Sequence, residues 1–412
     1  MKNHFALTFL LLFFIAVTAN AQGNLKTGVW RGVLKTATGK EVPFNFEVYD
    51  TAGHQQLSII NGNERLKVLD VKSIGDSVFI KMPLFDSEFR LKREAGNLKG
   101  RWIKHLGDRD ASMNFTATAD TKWRFFKDTL KPAFDITGRW ATIFGEVKSG
   151  KNQPIGEFKQ AGTKLTGTFL STTGDYRYLE GVVKGNKIFL SCFDGGHAYL
   201  FTGEITDATT ISNGKFYAGF SGLEKWTALK NENARLPDAY SLTTLKPGYK
   251  KLNFTFKDIT GNNVSLTDSR FKNKVVIVQI LGSWCPNCMD ETNFLVNNYY
   301  KRYRTRGVEI VGLAYERTTD FSKSQKTLQQ LKMRFNIPYP LLITGFTDKK
   351  GDAAKSLPML TSVVGFPTTI IIDKKGDVRK IHTGFSGPGT GVYYTQFIEE
   401  FDKLTDKLLE EK

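Results

Sequence analysis

The sequence predicts two architectures in one chain: an all-β N-terminal region with an internal repeat over residues 22–235, then an α/β fold over residues 251–412. Three observations carry this. Aromatic and β-branched runs broken by Asn-Gly turns fill the first half. Segments recur there at a spacing close to 110 residues. Beyond residue 250 the pattern changes to buried strands alternating with helical periods.

Residues 1–21 read as a signal peptide, with Lys2 in the charged segment, an apolar core from Phe5 to Val17, and small residues at Ala19 and Ala21 before the expected cut. An exported, periplasmic protein is therefore expected. No later apolar run approaches membrane-spanning length, so no transmembrane segment is expected, and no cysteine follows the cut to take a lipid. The formal charge of +17 comes from dispersed lysines and arginines without a basic block, which reads as a solvated surface and argues against nucleic acid as a partner. With only three cysteines the chain is not a disulfide scaffold.

In the β region, Val42 to Val48, Ser77 to Lys81 and Lys187 to Leu190 are strand-like runs, and Asn61-Gly62 and Asn213-Gly214 are hairpin turns. Thr27-Gly28-Val29-Trp30 recurs as Thr137-Gly138-Arg139-Trp140. Gly62 to Arg65 is echoed by Gly174 to Arg177, and Val78-Phe79-Ile80 by Ile188-Phe189-Leu190. This divides the region into repeats over 22–130 and 131–235, as two sibling sandwiches or barrels or as one larger sheet. Trp30 and Trp140 are expected as core plugs, and Cys192 as a buried thiol in a strand.

Pro237, Pro247 and polar neighbours mark a linker over 236–250. The α/β domain then opens with a hairpin around Leu252 to Asn263. Strands are expected at Val275 to Leu281, Val308 to Leu313, Tyr339 to Ile343, Thr368 to Ile372 and Val378 to His382. Helices are expected from the second cysteine to about Arg306, over Ser322 to Phe335, near Ala353 to Leu360, and from about Val392 to the end.

Chemistry centres on Gly282-Ser283-Trp284-Cys285-Pro286-Asn287-Cys288. The preceding run is short and β-branched, as in a strand buried on both faces. After it, Cys288, Leu295, Val296 and Tyr299 share a helical face, while Asp290, Asn293, Asn297 and Asn298 fall mostly off it. Two cysteines separated by two residues at such a junction make a dithiol that can open and close. Cys285 falls at the helix start, where free N–H groups and the helix dipole favour a thiolate, so it is the expected nucleophile. Cys288, a turn further in, is expected to resolve the mixed disulfide. A structural disulfide or half a zinc site would use the same spacing. Cys192 stands alone, however, and the five histidines lack ligand spacing, so no metal and no cofactor is expected.

Trp284-Cys285-x-x-Cys288-x-x-Glu291 after a buried strand, Gly365-Phe366-Pro367-Thr368 before a late strand, and the opening from Phe254 through Asp258, Gly261 and Asn262 to Leu266 resemble the thioredoxin fold and, within it, the TlpA-like periplasmic disulfide reductases. The resemblance covers about the last two-fifths of the chain; the β region resembles no recognised family. It implies that Pro367 is a cis-proline beside the dithiol and that Trp284, Phe366 and Pro367 bind substrate, the backbone before the proline pairing with a substrate strand. It also implies protein thiols and disulfides as partners, with an electron-donating membrane thiol relay.

Two departures matter. The aspartate that thioredoxins bury six residues before the first cysteine is here Gln279, which cannot take a proton from Cys288; Glu291 is the first replacement candidate and Glu316 the second, and both can also be read as structural or solvated carboxylates, Glu316 more readily. Many TlpA-like proteins place proline before the second cysteine, whereas here it follows the first. Thiol oxidases of the DsbA kind share that early proline but add histidine where this chain has Asn287, which points to a potential nearer about −270 mV than about −120 mV. A peroxidase of the peroxiredoxin sort wants Thr or Ser at position 282, where Gly282 stands. The expectation is an exported thiol–disulfide oxidoreductase, a protein-disulfide reductase acting through Cys285 and Cys288. The competing classes are a thiol oxidase and an envelope ligand- or partner-binding protein whose redox domain is accessory.

Overall fold

The computed structural model describes residues 24–106, 109–128, 130–146, 153–349 and 351–411, and the expected leader lies outside them. Residues 28–119 form nine antiparallel strands in which each pairs with its successor, with one exception, and the first, Gly28–Lys35, also pairs with the last, Asp110–Ala119. The exception is Glu64–Val68 and Asp70–Ile74, the two edges of the sheet. Only Leu69 separates these edges in sequence, so the sheet must curl into a barrel with a seam there. Its interior is packed with Trp30, Phe44, Phe89, Trp102 and Phe115.

Residues 138–230 form a second nine-stranded sheet. Here Gly138–Phe144 pairs with both Ile155–Ala161 and Gly222–Lys230, and Ile155–Ala161 pairs with Lys164–Ser171, so the ring closes. The two-residue strand Gly174–Asp175 hangs from its rim on Lys164–Ser171. Trp140, Phe144, Phe169, Phe201, Phe216 and Trp226 fill the interior. Cys192 lies in this core, where burial pushes its thiol well up.

The Thr-Gly-x-Trp segments open the first strand of each barrel. Trp30 Nε1 donates to the Lys26 carbonyl at 2.8 Å, and Trp140 Nε1 to the Ile136 carbonyl at 2.9 Å. The turn that brings each indole back over the chain runs through Gly28 at φ 109° and Gly138 at φ 122°, a region that other residues rarely enter.

The C-terminal domain is one seven-stranded sheet. From one edge the strands are Asn263–Ser265, Thr255–Asp258, Leu341–Thr347, Val308–Glu316, Val275–Leu281, Thr368–Ile372 and Val378–Thr383. The central strand runs parallel to Val308–Glu316 and antiparallel to Thr368–Ile372. Helices Pro286–Phe294, Phe321–Phe335 and Val392–Glu410 contribute Phe294, Leu328, Leu331, Phe397 and Phe401 to one core. A second core joins the sheet to Leu252, Phe254, Ala353 and Leu360. The expected helix to Arg306 is continuous in path but contains a π-helical stretch, Leu295–Tyr300. The strand expected from Tyr339 begins at Leu341 instead, just past Pro340, which has no N–H to give to a ladder. The short helix spans only Asp352–Ser356.

The chain between the second barrel and this domain is bonded to the domain along its length. Thr383 N donates to the Ala239 carbonyl at 3.0 Å, Lys246 N to that of Met359 at 2.8 Å, and Val378 N to that of Lys250 at 2.8 Å. Among the described residues no helix is long and apolar enough to cross a membrane.

Candidate redox site

Val275–Leu281 is buried at every position and paired on both sides, which makes it a rigid post for the loop that follows. Two clamps hold that loop. Glu316, ending the neighbouring strand, accepts the Ser283 N–H at 2.8 Å and the Ser283 hydroxyl at 2.6 Å. Trp284 Nε1 donates to the Tyr315 carbonyl at 3.0 Å. The second clamp requires Gly282, because a Cβ there would lie 2.3 Å from Trp284 Nε1.

Cys285 is the N-cap of the helix: its sulfur accepts the Cys288 N–H at 3.2 Å, and Pro286 fills the first helical position. The Cys285 thiol also lies 3.6 Å from the Phe366 carbonyl, toward which it donates. The Phe366–Pro367 peptide is cis. The Phe366 ring meets Trp284 edge-on, with centroids 5.4 Å apart. The structure thus brings Trp284, Cys285, Phe366 and Pro367 together. Both cysteines are free, Cys288 fully buried and Cys285 4% exposed. Burial pushes the Cys288 thiol well up, and the neighbouring Cys285 and Glu291 act in the same direction.

Glu291 points inward rather than to solvent, with 1% exposure. Its Oε1 accepts the Thr369 hydroxyl at 2.6 Å and its Oε2 accepts Gln279 Nε2 at 2.8 Å. Gln279 and Thr369 are paired on adjacent strands, so the sheet presents both donors beneath the helix. Burial pushes the carboxyl up to about 7, and the two hydrogen bonds restrain the rise. Glu316 is also raised by burial; its oxygens accept from Ser283 and Thr327, and through Ser283 it positions the loop.

The second barrel reaches the same site. Asn287 Nδ2 donates to the Thr173 carbonyl at 3.3 Å. Asp175 accepts the Gly387 N–H at 2.8 Å. Arg177 bridges Asp290 of the helix to Glu64 of the first barrel. Burial pushes the Asp290 carboxyl up to about 7; Arg177 pulls it down, and the negative charges of Asp175, Glu64 and Asp194 push it further up.

Residues 247–381 match the AhpC/TSA family. Thiol-disulfide oxidoreductase ResA of Bacillus thuringiensis subsp. konkukian is 30% identical over 131 residues, which span 32% of this chain and 66% of that protein. ResA of Halalkalibacterium halodurans is 25% identical, over 39% of this chain and 77% of its own. A solved thioredoxin domain of a thiol-disulfide oxidoreductase from Bacteroides vulgatus is 26% identical, covering 38% of this chain and 99% of that one with a TM-score of 0.28. The C-terminal domain is thioredoxin-like. The chain covers just under two thirds of the first of these ResA proteins, and the matched family segment lies wholly C-terminal to the two barrels.

Of the site residues expected from the sequence, the structure gathers Trp284, Cys285, Phe366 and Pro367 and places Cys288 and Glu291, both buried, on the helix that follows Cys285. Sequence reasoning missed Thr369, the donor role of Gln279, and the loop clamp by Glu316. The contacts from Thr173, Asp175 and Arg177 were also missed. The one available signal was the echo between Gly62 to Arg65 and Gly174 to Arg177, because Glu64 and Arg177 of those segments meet.

Proposed function

We propose that this chain is an exported thiol–disulfide oxidoreductase that reduces disulfides, those of proteins among them, through Cys285 and Cys288. The observation that carries the reading is the Cys285 sulfur, capped by the Cys288 N–H at the helix start and lying beside the Phe366 carbonyl, with Cys288 buried behind it. In the first step the Cys285 thiolate attacks one sulfur of a substrate disulfide. A mixed disulfide forms, and the other substrate sulfur leaves as a thiolate and takes a proton. Cys288 then attacks Cys285, which releases the second thiol and leaves a Cys285–Cys288 disulfide. Two electrons and two protons pass to the substrate. A reduced protein dithiol, such as the expected membrane relay, must restore the pair.

Glu291 takes the proton from Cys288 in the second step. Its titration near neutrality and its influence on the thiol support this role. Gln279 and Thr369 position it. The Trp284 indole fills the space a side chain at 282 would need, which supports disulfide exchange over peroxidase chemistry. We also read the two barrels as copies of one unit, because their first tryptophans and glycines take the same conformation. The test is reduction of oxidised glutathione by the dithiothreitol-primed chain: the parent should turn over and Cys285→Ser should not. Equal turnover by the variant would refute the reading.

A further inference from the structure

We propose that Thr172, Thr173 and Gly174 of the second barrel are specificity-determining residues of the redox site. They occupy the strip beside Phe366 where a polypeptide strand would lie, so that compact disulfides are favoured over extended chains. The inference rests on the thiol–disulfide reading above and narrows its substrate class.

Three pieces of the thioredoxin-like domain border that strip: Asn287 between the cysteines, Gly365 just before Phe366, and Gly384-Phe385 after the edge strand Val378–Thr383. The barrel loop touches all three. Thr173 Cγ2 lies 2.2 Å from where a Cβ on Gly365 would stand, and the Thr172 carbonyl oxygen 2.6 Å from one on Gly384. A Cβ on Gly174 would meet Asn287 Nδ2 at 2.2 Å and the Phe385 carbonyl oxygen at 2.7 Å. Paired strands need about 4.8 Å between backbones, so a loop this close leaves no lane for a second one. Glycine on both sides of the contact permits the approach, and Gly174 and Gly384 also take positive φ, 136° and 84°.

The loop is anchored. Ser171 Oγ donates to the Gly174 carbonyl at 3.0 Å, and Asp175 accepts the N–H groups of Gly387 at 2.8 Å and Arg177 at 2.7 Å. Arg177, itself buried, ties the loop to Asp290 and Glu64 at once. Displacing the loop would strip charges from a buried cluster, which is costly. On the other side of Trp284 lies a cavity of about 110 Å³, lined by Leu84, Phe85 and Lys104 of the first barrel and by Ser283, Trp284 and Arg317.

Site-resolved alkylation of the reduced full chain tests this without relying on catalysis. Iodoacetamide and a polymer-tailed maleimide are compared at Cys285 by peptide mass mapping, in the native protein and in guanidinium. The bulky reagent should lag in the native chain by roughly tenfold or more beyond its lag in guanidinium, because it must wait for local opening. Thr173→Arg, whose side chain cannot fit against Gly365, should close that gap and raise the rate with insulin relative to oxidised glutathione. Equal reagent ratios in native and unfolded parent would overturn the proposal, whether or not the variant folds. A folded Thr173→Arg that labels and reduces insulin like the parent would also overturn it. Failure of the parent and of Thr173→Arg alike to reduce either disulfide would count against the oxidoreductase reading instead, while the labelling ratio still decides the loop.

Discussion

Glu291 is a carboxyl held in a dry pocket by two neutral donors, and that environment makes a measurable difference. Its folded titration is raised from 4.5 to about 7, so the native state keeps a proton that the unfolded chain has lost. The stability this contributes is complete below 4.5 and is lost as pH rises through about 7. Glu291→Gln removes the titration. The stability of the variant relative to the parent should therefore climb across that interval, by about 2–3 kcal/mol, in guanidinium unfolding at a series of pH values. A flat difference would mean that the carboxyl is not buried as described. Near neutral pH the same variant should resolve the Cys285 mixed disulfide more slowly than the parent while Cys285 attacks at an unchanged rate. Equal resolution rates would leave Glu316 or solvent as the base. The positions of Cys285, Cys288 and Glu291 were legible because helical spacing fixes them relative to one another. Gln279 was legible only as a lost base. Its bond to Glu291 depends on the pairing of Gln279 with Thr369, and no local pattern encodes a register between strands 90 residues apart.

At the scale of elements, the working unit is a strand, a clamped loop and a helix. Glu316 supplies the clamp, so Glu316→Ala should leave the Ser283 N–H without its acceptor and destabilise the fold by about 1–3 kcal/mol. It should also lower the rate of attack on oxidised glutathione, since Trp284 and Cys285 follow Ser283 directly. Glu316→Gln keeps one acceptor and should retain part of both. An unaltered attack rate in Glu316→Ala would show that Trp284 alone fixes the loop. The buried strand and its helix were readable because one is a β-branched run and the other has an apolar stripe. The π-helical stretch at Leu295–Tyr300 was not, because it changes the helix winding without changing which residues are apolar. In the barrels, Gly28 and Gly138 were visible as a recurring motif, and their positive φ supplies its physical reason.

For the whole molecule, a β-rich region followed by an α/β domain was readable from the change in periodicity, while two sibling units and one larger sheet stayed equally open for the β region. The docking of region and domain was not readable. Asn287 and Thr173 lie 114 residues apart, and Glu64, Arg177 and Asp290, read singly, are ordinary surface charges that only the tertiary structure gathers into one buried cluster. The thioredoxin-like domain has its own two cores, and the segment from Ala239 to Lys250 is bonded to it. A chain starting at Leu236 should accordingly be soluble, unfold cooperatively and keep its dithiol activity, as read by circular dichroism in guanidinium and by glutathione reduction. Loss of cooperativity would mean that Leu84 and Phe85 of the first barrel, which pack against the redox core, complete it. The claim beneath all of this is that Cys285 is the attacking sulfur. The most direct measurement is to expose reduced full-length Cys288→Ser to oxidised glutathione near neutral pH, quench in acid and map the adduct by mass. Glutathione should be found on Cys285 and nowhere else. An adduct on Cys192, or an equal yield from Cys285→Ser, would contradict the account.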